Sequence, residues 1–154
     1  MTKEDIIQMA REAGLETQDA MKQLFEWYKS DKETIPLVKA ALFVYEFLSI
    51  HPFQDGNGRL SRLMGSLLLL KNGYSWIQYV SLEHEIESRK SEYYKVLMQT
   101  QRNRPGENVT DWLTFFISCL INIQEQLLVK LKESKTEQPV SQREKRILFF
   151  IQNH

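Results

Sequence analysis

The pattern of hydrophobic and polar positions predicts helices along most of this chain. Apolar residues recur every three or four positions, which is the spacing of one helix face, and no convincing run alternates as a strand would. The apolar face of a first helix is formed by Ala20, Leu24, Trp27 and Tyr28. A second helix is expected from Pro36, which is tolerated in a first turn, to Ile50, because Pro52 then stops it.

Further helices are predicted downstream, with bounds at Leu60–Leu70, Glu85–Arg102 and Trp112–Lys132. The first of these is apolar on all sides, so we expect it to be central, and Asn72-Gly73 is a suitable end for it. Pro105-Gly106 separates the other two. Residues 1–132 are therefore predicted to form one all-α domain. Residues 133–154 are predicted to be a polar linker, within KESKTEQPVSQ, and the start of an unfinished helical element.

Composition narrows the class of protein. The chain has 154 residues, 42% of them hydrophobic, which is enough for one domain with a real core. Twenty basic residues balance 20 acidic ones, so no overall field favours nucleic acid or an anionic membrane. Cys119 is the single cysteine, the N-terminus lacks a signal-peptide pattern, and the apolar runs are shorter than the roughly 20 residues of a membrane span. We expect a soluble cytoplasmic protein.

The stretch IHPFQDGNGRLSR lies between two of the most apolar predicted helices. Gly56 and Gly58 permit a turn whose backbone N–H groups face one centre, and the next helix begins there with its positive end. Arg59 and Arg62 stand near that same positive end, where cations are unfavourable unless an anion is bound. The residues therefore predict a polyphosphate site.

Two further side chains in this stretch have chemistry that suits a phosphate site. A carboxylate at Asp55 would repel phosphate unless a cation lies between them, and magnesium takes one carboxylate together with phosphate oxygens and water. His51 is the group in this stretch that accepts a proton near neutral pH. Each residue alone is compatible with an ordinary turn, but their combination within about a dozen positions favours a catalytic site.

The segment HPFQDGNGRLSR matches every fixed position of H-x-F-x-[D/E]-G-N-G-R-x-x-R, the motif of the Fic domain family. PLVKAALFVYEFLSIHPF resembles the helix that leads into the motif, and ESRKSEYYKVLMQTQR resembles a later helix beside the nucleotide base. The resemblance covers roughly residues 15–130. It implies a Fic-type helical bundle with the motif loop between two buried helices.

By this resemblance, the protein would transfer AMP from ATP to a Ser, Thr or Tyr hydroxyl of a target protein. His51 would be the general base, Phe53 would anchor the loop in the core, and Asp55 would hold Mg²⁺. The resemblance also implies a set of nucleotide-binding residues: a nest of Gly56, Asn57 and Gly58, the phosphate ligands Arg59 and Arg62, and Tyr93, Tyr94, Leu97 and Gln101 around the adenosine.

Two family elements are not recognisable in this sequence. Upstream of His51 nothing matches the inhibitory pattern [S/T]-x-x-x-E-[G/N], and SLEHEI, residues 81–86, lacks its last position and lies in the wrong part of the fold. The β-hairpin flap that docks a target is absent or truncated. We therefore expect either that the chain is a fragment or that a partner protein or a second copy supplies the inhibitory element, and that Arg62 is free of an internal glutamate.

Other functions remain open at this point. The chain could be a nucleotide-binding regulatory module without useful transfer, or a Fic-type transferase that uses another nucleotide. SQREKRILFFIQNH looks like the opening of a winged-helix module, cut short here, and nucleic acid binding would depend on that missing part, since the core offers no basic stripe.

Overall fold

A computed structural model describes the backbone of residues 3–137 and 142–152, and the side chains of residues 16–134, 145–147 and 149–151. The predicted all-α class is confirmed, and no strand occurs among these residues. Seven helices are separated by short connections, and one of those connections contains a 3₁₀ turn. The helices are α1 (Lys3–Ser30), α2 (Pro36–Ile50), α3 (Asn57–Lys71), α4 (Leu82–Ser88), α5 (Lys90–Gln101), α6 (Thr110–Glu137) and α7 (Gln142–Gln152), with the 3₁₀ turn at Ser75–Tyr79.

Helix α2 lies at the centre of the bundle. More than half of its residues are buried, and it packs against α1, α3 and α6. Trp112 at the start of α6 donates its indole N–H to the carbonyl of Ala41 at 2.8 Å, which ties α6 to the middle of α2. The predicted bounds of α2, from Pro36 to Ile50, are confirmed.

Helices α2 and α3 approach closely because α3 carries a glycine at their contact. A Cβ placed on Gly65 would lie 2.8 Å from Cγ2 of Val44 and 3.6 Å from Cζ of Phe116. The distance to Val44 is shorter than van der Waals contact, so a larger side chain at residue 65 would push the two helices apart. The loop that joins α2 to α3 is therefore held by two helices in direct backbone-level contact.

Helix α3 is not surrounded by protein, which corrects the expectation from its sequence. It buries one face, including Ser61, Gly65 and Leu69, and exposes the other. Leu63, Leu67 and Leu70 stand on the exposed side. Apolar residues all around a helix indicate complete burial only when neighbours exist on every side, and here the described neighbours cover one side.

Several helix boundaries differ from the predicted ones. Helix α3 begins at Asn57 rather than Leu60, so its first turn includes part of the predicted loop. The single helix expected over Glu85–Arg102 is two helices, α4 and α5, which meet at Arg89. The Arg89 side chain contacts Ser118 Oγ on α6 at 2.9 Å, and this long-range anchor was not visible in the helical pattern.

Helix α6 continues through the first half of the predicted linker and ends at Glu137. Lysine and glutamate are good helix formers, and no proline occurs between Thr110 and Pro139, so no proline ends the helix earlier. Residues 138–141 lie outside the described part. Helix α7 packs against the 3₁₀ turn and α6 and buries Ile147. The division at residue 132 stays a prediction.

One segment of α6 is longer and more apolar than the sequence reading allowed. Thr110–Ser134 has the length and composition of a membrane-crossing helix, and 39% of its most apolar window is buried within the bundle. Trp112, Phe116 and Leu120 on this segment are almost inaccessible to solvent. Burial of this face in the core is sufficient to account for its apolar character.

The glycine at the α2–α3 contact gives a stability prediction. Gly65→Ala should lower the free energy of unfolding by about 1–3 kcal/mol, because the added methyl group overlaps Val44. Urea denaturation followed by circular dichroism measures this. Gly106→Ala is the matched control, since a Cβ there meets no atom closer than 3.9 Å. Equal stabilities for the two variants would contradict the close packing.

Candidate functional site

The loop between α2 and α3 reverses the chain over a few residues. His51 follows α2 in the left-handed region, with φ 52° and ψ 58°, and donates its N–H to the carbonyl of Phe47 at 3.0 Å. Gly56 precedes α3 with φ 82°, a conformation that favours glycine. The side chains of His51 and Asp55 are exposed between these two points. The loop therefore presents its imidazole and its carboxylate to solvent.

The Asn57 side chain closes this loop. Its residue is 2% exposed, its Oδ1 accepts the N–H of Phe53 at 3.0 Å, and its Nδ2 donates to the carbonyl of Phe53 at 2.5 Å. The sequence placed Asn57 in an anion nest. The structure commits its side chain to the loop and leaves the backbone N–H for that role, so the nest itself stays a prediction.

The first turn of α3 has no side-chain cap. The first helical hydrogen bond runs from Leu60 N–H to the carbonyl of Gly56 at 2.9 Å. The N–H groups of Asn57, Gly58 and Arg59 therefore have no acceptor from the helix itself. The first turn carries no acidic residue that would offset the positive end of the helix dipole. This is the local geometry that a phosphate group uses.

The phenylalanine in this loop is placed differently from the expected core anchor. Phe53 is 52% exposed, and its ring meets Phe47 with the two centroids 6.5 Å apart. The expectation of a buried anchor is wrong. The polar side chain of Asn57, which is almost fully buried, fixes the loop instead.

Arg62 is not free of internal carboxylates, which corrects the sequence expectation. Its Nε and Nη2 both donate to the Glu83 carboxylate, with the Nη2 to Oε1 distance at 2.7 Å. These hydrogen bonds from Arg62 lower the pKa of Glu83, and the charge of Arg59 also lowers it, whereas burial raises it. The sequence did not predict this contact of Glu83 with Arg62, since a pair 21 positions apart leaves no local signal.

Asp55 is a single exposed carboxylate. Its side chain is 95% exposed, Oδ1 accepts the N–H of Gly56 at 2.7 Å, and Oδ2 lies 3.8 Å from Nη2 of Arg59. Within the described residues, no group of three or more His, Cys, Asp or Glu side chains could hold a metal. Asp55 therefore fits a cation that takes most of its ligands from phosphates and water, as Mg²⁺ does.

Helix α5 contacts both of the helices that the loop joins, α2 and α3. The Tyr93 ring centroid lies 5.9 Å from the Arg62 guanidinium, and the Gln101 amide donates to Ser49 Oγ at 2.9 Å. The eight-residue separation of these two contacts spans about 12 Å of helix. The predicted adenosine residues thus lie on the helix that adjoins the motif.

The predicted residues of α5 differ in exposure. Tyr93 and Leu97 are buried, and burial raises the pKa of the Tyr93 hydroxyl, although the charge of Arg62 opposes this. Tyr94 is 50% exposed and Met98 is 57% exposed, one turn apart on the same face. The sequence reading did not include Met98, although its spacing of four from Tyr94 places both on one face. Tyr94 and Met98 are thus the accessible apolar surface of this helix.

Comparisons with known proteins agree with this arrangement. A model of the Fic/DOC family matches residues 3–69, which include the whole loop and the start of α3. A Fido domain-containing protein of Dictyostelium discoideum is 32% identical over 80 residues, covering 52% of this chain and 52% of that protein. Proteins named protein adenylyltransferase match over shorter stretches: 34% identity over 59 residues in Caenorhabditis elegans and 43% over 56 residues in Drosophila melanogaster, each 11% of that protein's length.

A solved structure of a Fic family protein from Desulfovibrio desulfuricans has the same fold. The TM-score is 0.67 at 29% sequence identity, and the match covers 84% of this chain and 37% of that one. The helical bundle of this chain thus recurs in a solved Fic family protein. The family model, the named relatives and the solved structure agree in placing the similarity of this chain in the Fic domain family. It spans about half the length of the first of these relatives and a smaller share of the others.

The loop clamp yields a second stability prediction. Asn57→Ala removes both hydrogen bonds to Phe53 and should lower the free energy of unfolding by about 1–3 kcal/mol. Thermal or urea unfolding measures this. Asn103→Ala, at an exposed asparagine, should change it by about 0.5 kcal/mol or less. A free energy of unfolding for Asn57→Ala equal to that of wild type would show that the loop is held by other contacts.

Proposed function

We propose that this protein is a protein adenylyltransferase, which moves AMP from ATP to a hydroxyl side chain of another protein. The observation that carries the proposal is the juxtaposition of an exposed His51 and an uncapped α3 start on one short loop. The relatives named protein adenylyltransferase support a transferase, over the part of the chain that they match.

In the proposed reaction, the acceptor oxygen attacks the α-phosphorus of ATP. The new bond joins that oxygen to phosphorus, the bond from phosphorus to the oxygen bridging the α- and β-phosphates breaks, and pyrophosphate leaves. His51 takes the hydroxyl proton as the new bond forms. Its side chain is exposed at the protein surface, so a hydroxyl on a second macromolecule can reach it.

The phosphates would lie at the start of α3. The free N–H groups of Asn57, Gly58 and Arg59 donate to phosphate oxygens, and the helix dipole stabilises charge that develops during transfer. The Arg59 side chain is 75% exposed, so it can turn toward the distal phosphates. Mg²⁺ held by Asp55 would neutralise phosphate charge. Positioning and charge neutralisation are the main demands of this class of reaction.

The base would lie against α5. Tyr94 and Met98 offer an exposed apolar face on the helix that also contacts Arg62 through Tyr93 and the end of α2 through Gln101. A flat heterocycle stacks on such a face without demanding one particular pattern of hydrogen bonds. Adenine is the proposed base, and other nucleotides remain compatible with the same surface.

A second candidate function is nucleotide binding without useful transfer. The observation that favours it is the Arg62–Glu83 pair, because a carboxylate already uses part of the guanidinium that the motif assigns to phosphate. ATP radiolabelled at its α-phosphate, incubated with the chain and a cell lysate, separates the two functions. Label on protein supports transfer, whereas tight binding without label supports the second candidate.

His51 is expected to act on the acceptor and not on the phosphates. His51→Ala should reduce transfer about 10²- to 10⁴-fold, the usual effect of losing a general base, while the Kd for ATP changes little. Labelling rate and calorimetric titration measure the two quantities. His84→Ala, at an exposed histidine on α4, is the matched control and should retain transfer. A parallel loss of ATP affinity in the His51 variant contradicts the assigned role.

Asp55 is expected to link nucleotide affinity to magnesium. For Asp55→Ala, the gain in ATP affinity on adding Mg²⁺ should shrink compared with wild type, because the protein ligand of the cation is lost. Calorimetric titrations with ATP at several Mg²⁺ concentrations give this quantity. Asp19→Asn, at an exposed aspartate on α1, controls for the loss of one negative charge. An unchanged magnesium dependence would place the cation elsewhere.

A further inference from the structure

We infer that Glu83 is a positioning residue, which orients Arg62 so that the outer edge of its guanidinium serves the phosphate site at the start of α3. The inference rests on the proposed function and deepens it. Glu83 lies on α4, outside the HPFQDGNGRLSR segment, and it joins the site through a contact between two helices.

The contact uses one edge of the guanidinium. Glu83 accepts from Nε and Nη2, which is the side-on arrangement of an arginine and a carboxylate. A guanidinium has five N–H donors, so this pair leaves both hydrogens of Nη1 and one of Nη2 on the other edge. That second edge can receive a different anion while the first stays bound to Glu83.

The guanidinium nitrogen that Glu83 leaves free, Nη1, is the Arg62 atom nearest to Gly58 in the first turn of α3. A Cβ placed on Gly58 would lie 2.9 Å from Nη1 of Arg62, so the guanidinium crosses directly over this glycine. Gly58 is one of the residues whose N–H has no acceptor within the helix. The Arg62 side chain is 11% exposed, and the Tyr93 ring lies against its guanidinium at 5.9 Å. Nη1 is thus held over the first turn of α3 before any ligand binds.

The negative charge of Glu83 lowers the positive charge of the site. A carboxylate that only competed with phosphate would be expected to occupy the Arg62 nitrogen nearest to the phosphate site. Glu83 instead accepts from Nε and Nη2, whereas Nη1 is the Arg62 nitrogen nearest to Gly58. The Glu83 side chain is 48% exposed, so water screens its repulsion of a bound phosphate. An arginine fixed in place loses less conformational freedom when the phosphate binds. Orientation therefore outweighs repulsion.

The test compares nucleotides with and without distal phosphates. E83Q keeps one acceptor oxygen and replaces the other with an N–H₂ group, so Arg62 loses one of its two hydrogen bonds and the negative charge that orients its guanidinium. By calorimetry with Mg²⁺, E83Q should bind ATP about tenfold more weakly than wild type, because one charge-assisted contact is lost. Its affinity for AMP, which lacks the distal phosphates, should stay unchanged. E87Q on the same helix, where Glu87 pairs with Lys90 at 3.0 Å, is the matched control.

Each other outcome has a distinct meaning. Equal ATP binding by E83Q overturns the positioning role, and tighter binding also overturns it and shows that Glu83 competes with phosphate. Equal weakening of ATP and AMP shows a merely structural contact and also overturns it. A wild-type chain that binds neither nucleotide overturns the proposed function together with this inference. Should E83Q not fold, E83D decides, since its shorter side chain cannot reach both Nε and Nη2 and should lose ATP affinity in the same selective way.

Discussion

The two hydrogen bonds between the Asn57 side chain and the backbone of Phe53 determine where α3 begins. They give hydrogen-bond partners to the N–H and the carbonyl of Phe53, which would otherwise lack them within the short turn. They also hold the turn between its two left-handed residues, His51 and Gly56. Because α3 starts at Asn57, the N–H groups of Asn57, Gly58 and Arg59 have no acceptor within the helix, and they follow directly on the loop that carries His51. The proposed catalytic arrangement depends on this local closure more than on any contact with the core.

The close packing of α2 on α3 adds a second level of constraint. Gly65 allows the helices to approach until Val44 is in contact, and Trp112 ties α2 to α6 by its indole hydrogen bond. A reactive loop between two such helices cannot move far without opening the core. Rigid placement of this kind is what a site needs when it works by orientation and electrostatics.

The sequence predicted the features that depend on neighbouring residues. Pro36 and Pro52 bound α2 because proline acts on its own turn, and the glycines and arginines of the loop lie at a helix start as expected. Features that depend on distant residues were missed. The pair of Arg62 with Glu83, the break at Arg89 and the exposure of Phe53 each follow from how separate helices meet, and no periodic pattern records those meetings.

A crystal structure of the chain with Mg²⁺ and a non-hydrolysable ATP analogue tests the central claim most directly. We expect the phosphates at the N–H groups of Asn57, Gly58 and Arg59, with Nη1 of Arg62 in contact with a distal phosphate while Glu83 keeps its hold on Nε. A separate cavity of about 510 Å³ lies elsewhere, and four lysines contribute to its lining: Lys29, Lys32, Lys39 and Lys71. Phosphates bound in that lysine-rich cavity, with the start of α3 empty, would contradict the account.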